Sequence, residues 1–332
     1  MRTLRFLYLL LVLGLVIGLM PAAAQEEDPR EINRETTINW LEFVRDAGNF
    51  ELMTDLVAPR GYVLHNPSAI TGIDASIGEV VGSTVELKTA FPNLSVRDYL
   101  VLAEGDMTAA IFFDQGTFVN PYYGAEPTGE TYFGQYINLK RFEEGKIAED
   151  WWAWNTQEFN QVLGQSPAQY DFAIAPWDTW LGESETTTGT HRSTLRILYN
   201  ALSIHYPDVA PSCAPAGMDV RGEPMSVDSY LEMLPHYYAG NVVVHDYMMT
   251  FGGIDMFTQN MRAIATLPGF RTNCAQFVCE GNLCASWSVA QVTTDAGETP
   301  FVWAALHRFA DGKIVEEWWL YDNALLLPML SH

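Results

Sequence analysis

Basic side chains are scarce. Lys and Arg number 18 against 41 Asp and Glu, a formal charge of −23. Such a balance repels nucleic acid and anionic membrane surfaces, so neither is an expected partner, although it says little about a ligand held in a pocket. Cysteine is also scarce, with 4 residues, Cys213, Cys274, Cys279 and Cys284, all in the second half of the chain. The sequence lacks a glycine-rich phosphate loop, a Gly-x-Ser-x-Gly elbow and a His-Glu-x-x-His pair. Neither a cofactor nor a metal is therefore expected. Apolar residues, by contrast, make up 48% of the chain and include 10 Trp, ample material for packed cores, which excludes a disordered protein.

The N-terminal apolar run, Phe6 to Met20, is shorter than the roughly 20 residues of a spanning helix. Arg2 and Arg5 precede it and Ala22-Ala23-Ala24 follows it, so residues 1–24 read as a secretory signal peptide cleaved after Ala24. An uncleaved membrane anchor is the rival reading. No cysteine near the cleavage site indicates a lipoprotein, and a secreted or periplasmic location is expected, with no membrane contact after cleavage.

Beyond the leader, the chain repeats itself. Gly145-Lys146-Ile147-Ala148-Glu149-Asp150-Trp151-Trp152 returns as Gly312-Lys313-Ile314-Val315-Glu316-Glu317-Trp318-Trp319. Upstream, His65 with Gly72-Ile73-Asp74 answers His245 with Gly253-Ile254-Asp255, Phe91-Pro92 answers Leu267-Pro268, and Glu104-Gly105-Asp106 answers Glu280-Gly281-Asn282. Landmarks in one order imply a duplicated domain. The first domain spans residues 25–165 and the second 191–332, with an insertion at 208–225 and a linker at 166–190.

Within each unit the periodicity changes from helical to alternating. Helices are expected near residues 38–57 and 73–90, and strands at 61–65, 94–103, 107–118, 131–142 and 146–155. Unit two repeats the order, with helices at 193–206, 227–238 and 254–267 and strands at 242–248, 270–279, 283–292, 301–309 and 313–321. The fold class is α+β, two tandem domains, each a curved antiparallel-rich sheet with N-terminal helices enclosing a pocket. Centring a hairpin turn on Gly281-Asn282 places Cys279 opposite Cys284 and turns Cys274 to the other strand face, free to meet Cys213. Both pairs are expected as disulfides, as suits an exported protein. A zinc site is the rival, though the spacing lacks paired ligands.

The string of Phe-Pro after a helix, Glu-Gly-Asp at a hairpin, Gly-Lys-Ile-x-Glu-x-Trp and an acid four residues after the Trp resembles the SnoaL-like polyketide cyclases, cone-shaped α+β domains of the nuclear transport factor two-like superfamily. The Gln161-Val162-Leu163-Gly164 stretch resembles the tail that follows in that family. The resemblance covers most of both units and implies cofactor-independent proton transfer next to a carbonyl, although the fold also hosts other enzymes and pure binders. It makes Asp322 the general acid/base and His245 the group that polarises substrate oxygen. Trp318 is four residues from Asp322, so the two share a strand face. The bland reading is that Asp322 caps a strand end or pairs with an arginine.

Unit one carries Asn155 where unit two carries Asp322, and a carboxamide cannot take a proton. Unit one therefore reads as a binding or structural copy, with Glu149 and His65 as substitutes if it is active. Trp318, Trp303, Tyr247, His307, Trp151, Asn155 and His65 are candidate ligand contacts for a small apolar or aromatic molecule. For the aromatics, core packing is the alternative, and His307 either reaches the cavity or faces solvent. An acid/base enzyme, a ligand-binding protein and a scaffold are the three functional classes left. In the scaffold the sheets pack as an intramolecular pseudo-dimer through Trp152, Trp154, Trp319 and Tyr321, with Trp151, Asn155, Trp318 and Asp322 on the pocket face.

Overall fold

The computed structural model describes residues 28–164, 185–201, 225–246 and 249–330. The expected signal peptide, most of the linker, the insertion, Tyr247 and the Cys213–Cys274 pairing lie outside the described residues. In unit one, α1 (Pro29–Asn39) runs on into a π-helical segment (Trp40–Asp46) and a short α2 (Met53–Leu56). Strands β1 (Val63–Asn66) and β2 (Ala69–Asp74), helix α3 (Ile77–Ala90) and strands β3 (Ser95–Glu104), β4 (Met107–Thr117), β5 (Thr131–Glu143) and β6 (Lys146–Trp154) follow, then α4 (Thr156–Val162). Unit two comprises α5 (Glu185–Ala201), α6 (Val227–Tyr237), β7 (Tyr238–His245), β8 (Thr250–Gly252), α7 (Ile254–Ala265), β9 (Arg271–Glu280), β10 (Leu283–Thr294), β11 (Gly297–Ala310), β12 (Lys313–Tyr321) and α8 (Asn323–Leu330).

The two sheets have one topology, β2-β1-β6-β5-β4-β3 and β8-β7-β12-β11-β10-β9. Only β1–β6 and β7–β12 run parallel; the other named pairs are antiparallel. This is the expected α+β architecture in tandem. Helix α3 begins where its sequence dictates: Ser76 and Glu79 form a reciprocal capping box, satisfying two amide donors that the first turn leaves open. Strands β2 and β8 and helices α4 and α8 were not expected, and α5 starts at Glu185, inside the stretch read as linker. Cys279 faces Cys284 across the β9–β10 hairpin and the two form a disulfide, as the turn position implied.

Each sheet is buried on both faces. One face packs on its own helices: Trp40, Leu41, Phe91, Phe112 and Tyr136 in unit one, Leu198, Leu234, Phe257, Trp303 and Trp319 in unit two. The other faces meet in a shared core that contains Leu102, Ile111, Leu139 and Trp151 from unit one and Trp287, Val302, Leu306 and Trp318 from unit two. The strand faces are therefore the reverse of the sequence expectation. Trp151 and Trp318 lie between the sheets, whereas Trp152, Trp154, Trp319 and Tyr321 lie on the helix side. Alternation places Trp151 and Trp152 on opposite faces, but with both faces apolar it cannot say which is the pocket.

The repeated Glu-Gly hairpins bind the units reciprocally. Glu104 of unit one accepts from Arg192 and from the Cys279 amide at 2.6 Å, and Glu280 of unit two accepts from Arg34 at 2.6 Å and the Ala103 amide at 3.0 Å. A landmark read as a turn signal is thus also an interdomain contact, of the self-complementary kind found in two-fold dimers.

Candidate functional site

Unit one holds a cavity of about 210 Å³ between β6 and the helices, walled by Trp40, Tyr122, Tyr136, Trp152, Trp154 and Phe159. Its wall also carries polar groups, among them Asp150, Tyr62 and Arg45. Asp150 is buried and sits two residues before Trp152 on one strand face. Its carboxylate accepts from the Tyr62 hydroxyl at 3.0 Å, from Lys140 at 3.0 and 3.2 Å, and from Asn138. Lys140 lies directly across β5–β6 from Asp150, wholly buried, with Nζ 4.1 Å from the Trp40 ring centroid. Burial pulls its ammonium below the usual lysine range, and the Asp150 charge acts against that shift. Burial, with Asp150 adding to it, drives the Tyr62 hydroxyl well above the usual phenol range. Nearby, Arg45 pairs with buried Asp114, and its guanidinium stacks 4.6 Å from the Tyr136 ring centroid.

Unit two repeats the plan with different chemistry. Its cavity is about 60 Å³, and its wall includes Tyr199, Tyr230, Tyr238, Trp303, His307 and Glu317. Glu317 takes the place of Asp150 in the repeat, and His307 faces it across β11–β12 as Lys140 faces Asp150. His307 Nδ1 is 2.6 Å from Glu317 Oε1, and His307 Nε2 is 2.9 Å from Ser286 Oγ. Ser286 Oγ lies 2.8 Å from the Tyr199 hydroxyl. Glu317 also accepts from Tyr238 at 3.1 Å and from the Trp319 indole at 2.7 Å. Burial raises the hydroxyls of both Tyr199 and Tyr238.

Of the ligand contacts expected from the sequence, Trp303 and His307 are on a cavity wall, and so are Trp152, Trp154 and Trp319, which were expected to pack between the sheets. His65, Trp151, His245 and Trp318 are brought together in pairs outside the cavities. His65 stacks on Trp151 at 5.3 Å and bonds Glu149 at 2.9 Å, and His245 stacks on Trp318 at 4.9 Å and bonds Glu316 at 2.8 Å. Arg141 and Arg308 complete these pairs by donating to Glu149 and Glu316. Hydrogen bonds from His245 and Arg308 outweigh the burial penalty and hold the Glu316 carboxyl below its usual range. The expected pocket roles of these residues thus meet a strand face turned toward the other sheet. Asp322 caps α8, accepting from the Leu325 amide at 3.2 Å, and also accepts from Thr156 of unit one at 2.7 Å. Asn155 is buried at the N-terminus of α4.

Asp150, Tyr62, Lys140, Glu317, Ser286 and Tyr199 were not singled out by sequence reasoning. The usable signal was the second acid of each repeat, Asp150 and Glu317, a charge embedded in an apolar strand. Among the described residues, no group of three or more His, Cys, Asp and Glu is arranged to hold a metal, and no helix is long and apolar enough to cross a membrane.

Comparison with known proteins places this geometry in a family. Residues 35–162 match the SnoaL-like polyketide cyclase family and residues 229–317 match the SnoaL-like domain. No curated protein matches the chain. Similar solved structures include IdmH of Streptomyces antibioticus, a candidate polyketide cyclase, with 23% identity over 40% of this chain and 98% of that one and a TM-score of 0.34. AclR of Streptomyces galilaeus, a candidate hydroxylase, is 21% identical over 42% of this chain and 87% of that one, with a TM-score of 0.35. A candidate SnoaL-like polyketide cyclase from Jannaschia sp. CCS1 is 19% identical over 43% of this chain and all (100%) of that one, with a TM-score of 0.37. The chain belongs to the SnoaL-like family, as two such domains in tandem.

Proposed function

We propose that this is an exported, cofactor-independent acid/base enzyme of the cyclase or isomerase type, acting on a small aromatic or polyketide-like carbonyl compound in the unit-one cavity. The observation that carries the reading is Asp150: a buried carboxylate on the wall of the larger cavity, beside a tyrosine hydroxyl and aromatic walls. Asp150 removes a proton next to the substrate carbonyl, Tyr62 donates to the developing oxyanion, and Lys140 fixes the carboxylate from behind. This seats the chemistry in unit one rather than at Asp322 and His245, because Asp322 is engaged in capping α8 and His245 in the layer between the sheets. Export is supported by the apolar leader and the Cys279–Cys284 disulfide. The reciprocal glutamates support a lasting intramolecular pseudo-dimer.

A binding protein is the second reading, favoured by one observation: both Asp150 oxygens already accept hydrogen bonds within the protein. Incubating metabolite extract with wild type and Asp150→Asn, followed by mass spectrometry, separates the two. A compound consumed by wild type alone supports the enzyme. A compound retained by both and never converted makes unit one a binding domain.

A further inference from the structure

Ser286, His307 and Glu317 stand in one hydrogen-bonded line on the helix side of the second sheet. Ser286 Oγ is 2.9 Å from His307 Nε2, and His307 Nδ1 is 2.6 Å from Glu317 Oε1. The partners fix the tautomer. A carboxylate only accepts, so Nδ1 carries the ring hydrogen and Nε2 is left to accept from the Ser286 hydroxyl. The Ala305 carbonyl, at 3.3 Å, is the more distant acceptor for that hydroxyl. Glu317 is anchored in turn by Tyr238 at 3.1 Å and by the Trp319 indole at 2.7 Å. A hydroxyl on one ring nitrogen and an anchored acid on the other is the arrangement that activates a serine as a nucleophile.

Strand register shows that the serine and the histidine arrive together. Lys140 faces Thr108 in unit one and His307 faces Cys284 in unit two. Two residues further along these strands, Ala110 takes the place of Ser286. Unit one therefore has neither the hydroxyl nor the imidazole at these positions. Ser286 is buried, so its hydroxyl carries a desolvation cost that the alanine of unit one avoids. Tyr199, His307 and Glu317 line the unit-two cavity, and Ser286 lies behind them with the Tyr199 hydroxyl 2.8 Å from its oxygen.

We propose that Ser286 is a nucleophile and that unit two is an acyl-transfer site for a carboxylic ester, a chemistry separate from that read in unit one. Tyr199 exchanges its hydrogen bond with Ser286 for one to the ester carbonyl, which admits the carbonyl carbon to Oγ and puts a donor on the developing oxyanion. As the Oγ–C bond forms, the Ser286 proton passes to His307 Nε2 and the carbonyl π pair moves to oxygen. Glu317 is a positioning residue that holds the imidazolium. The π pair then returns, the bond from carbon to the alkoxy oxygen breaks, and the leaving alcohol takes the proton from Nε2. Water repeats the sequence on the acyl-serine, giving its proton to His307, and the carboxylic acid departs as Ser286 regains its hydrogen. The sum is ester plus water to acid plus alcohol.

The test is labelling of the full-length protein by a small alkyl fluorophosphonate, in which phosphorus takes the place of the carbonyl carbon and fluoride leaves. Intact-mass and peptide mass spectrometry should find a single adduct, on Ser286, and Ser286→Ala should take none. His307→Gln and Glu317→Gln, each checked for folding by circular dichroism, should lose at least about 100-fold of the labelling rate. That loss should fall on the maximal rate and leave the half-saturating concentration unchanged, whereas loosened packing would raise the concentration. With p-nitrophenyl acetate, wild type should release a burst of about one equivalent of nitrophenol per chain. An unlabelled wild type, an adduct that maps elsewhere, the absence of a burst, or undiminished labelling in folded His307→Gln overturns the proposal. Labelling is read at Ser286 itself, so its failure is distinct from a failure of conversion at Asp150.

Discussion

Replacing Lys140 by Met is the most direct probe of the unit-one site, because it removes one charge and little volume. Lys140 is wholly buried, and its ammonium stands 3.0 and 3.2 Å from the two oxygens of Asp150. The substitution leaves the carboxylate with Tyr62 and Asn138 as donors. Breaking a buried pair from one side costs about 3–5 kcal/mol, since the remaining ion has lost its counter-charge but not its desolvation. The two remaining donors already act in the wild type, so they do not reduce that figure. At about 2–4 °C per kcal/mol for a domain of this size class, the melting temperature of unit one should fall by about 6–20 °C. Urea unfolding followed by tryptophan fluorescence reads the loss, since Trp40 and Trp152 border the pair. The double variant Lys140→Met, Asp150→Asn removes the stranded charge and should recover most of the stability. A single-variant cost below about 1 kcal/mol, or a double variant no more stable than the single, would refute a buried charge pair at this wall.

Glu104→Ala should lower the stability of the folded chain by about 1–2 kcal/mol, because it strands the Cys279 amide and leaves Arg192 with the Phe277 carbonyl in place of a counter-charge, while the part-exposed pair is screened by solvent. Glu280→Ala should behave alike through Ala103 and Arg34, and thermal melts of both that match wild type would dismiss the reciprocal lock. Gly72→Ala should destabilise unit one by more than about 1 kcal/mol: φ is +85° and an added Cβ would stand 2.5 Å from His65 Cε1. Unchanged urea midpoints would show that β2 tolerates the side chain. Glu316 has a folded-state pKa below its ordinary value of 4.5, so its stabilisation is fully present above that pH and lost as pH falls through the folded value. Glu316→Gln should therefore flatten acid unfolding below pH 4.5, and a slope equal to wild type would contradict it.

Much of the fold was legible because local chemistry and global pattern agreed. The duplication, the long strands of each sheet and the Cys279–Cys284 bridge followed from repeated landmarks and one turn position. Strands β2 and β8 escaped notice because neither carries an alternating run. β2 is interrupted by Gly72, and β8 has three residues, paired with neighbouring β7. Helix α5 begins before its expected start because Glu185 to Thr190 is rich in threonine, whose branched side chain weakens helical propensity unless tertiary packing compensates.

The pocket faces of the strands were less legible than the strands themselves. Strict alternation separates Asp150 from Trp151, but a strand buried on both faces gives no sequence mark for its pocket side. The aromatic pairs made the ambiguity worse, since Trp151 and Trp152 are equally apt for a sheet interface and for a pocket wall. The mark that does decide is polar. A side chain placed between two sheets finds no water, so each charge there must be met by the protein, as Glu149 is by His65 and Arg141. A side chain on the helix face can instead be met partly by a cavity or its ligand, and there the two units differ: lysine opposite aspartate in one, histidine opposite glutamate in the other. Duplication preserved the position of the acid and changed its partner. That single exchange, Lys140 against His307, is where the two domains are expected to diverge in chemistry, and it can be read only once the register of the strands is known.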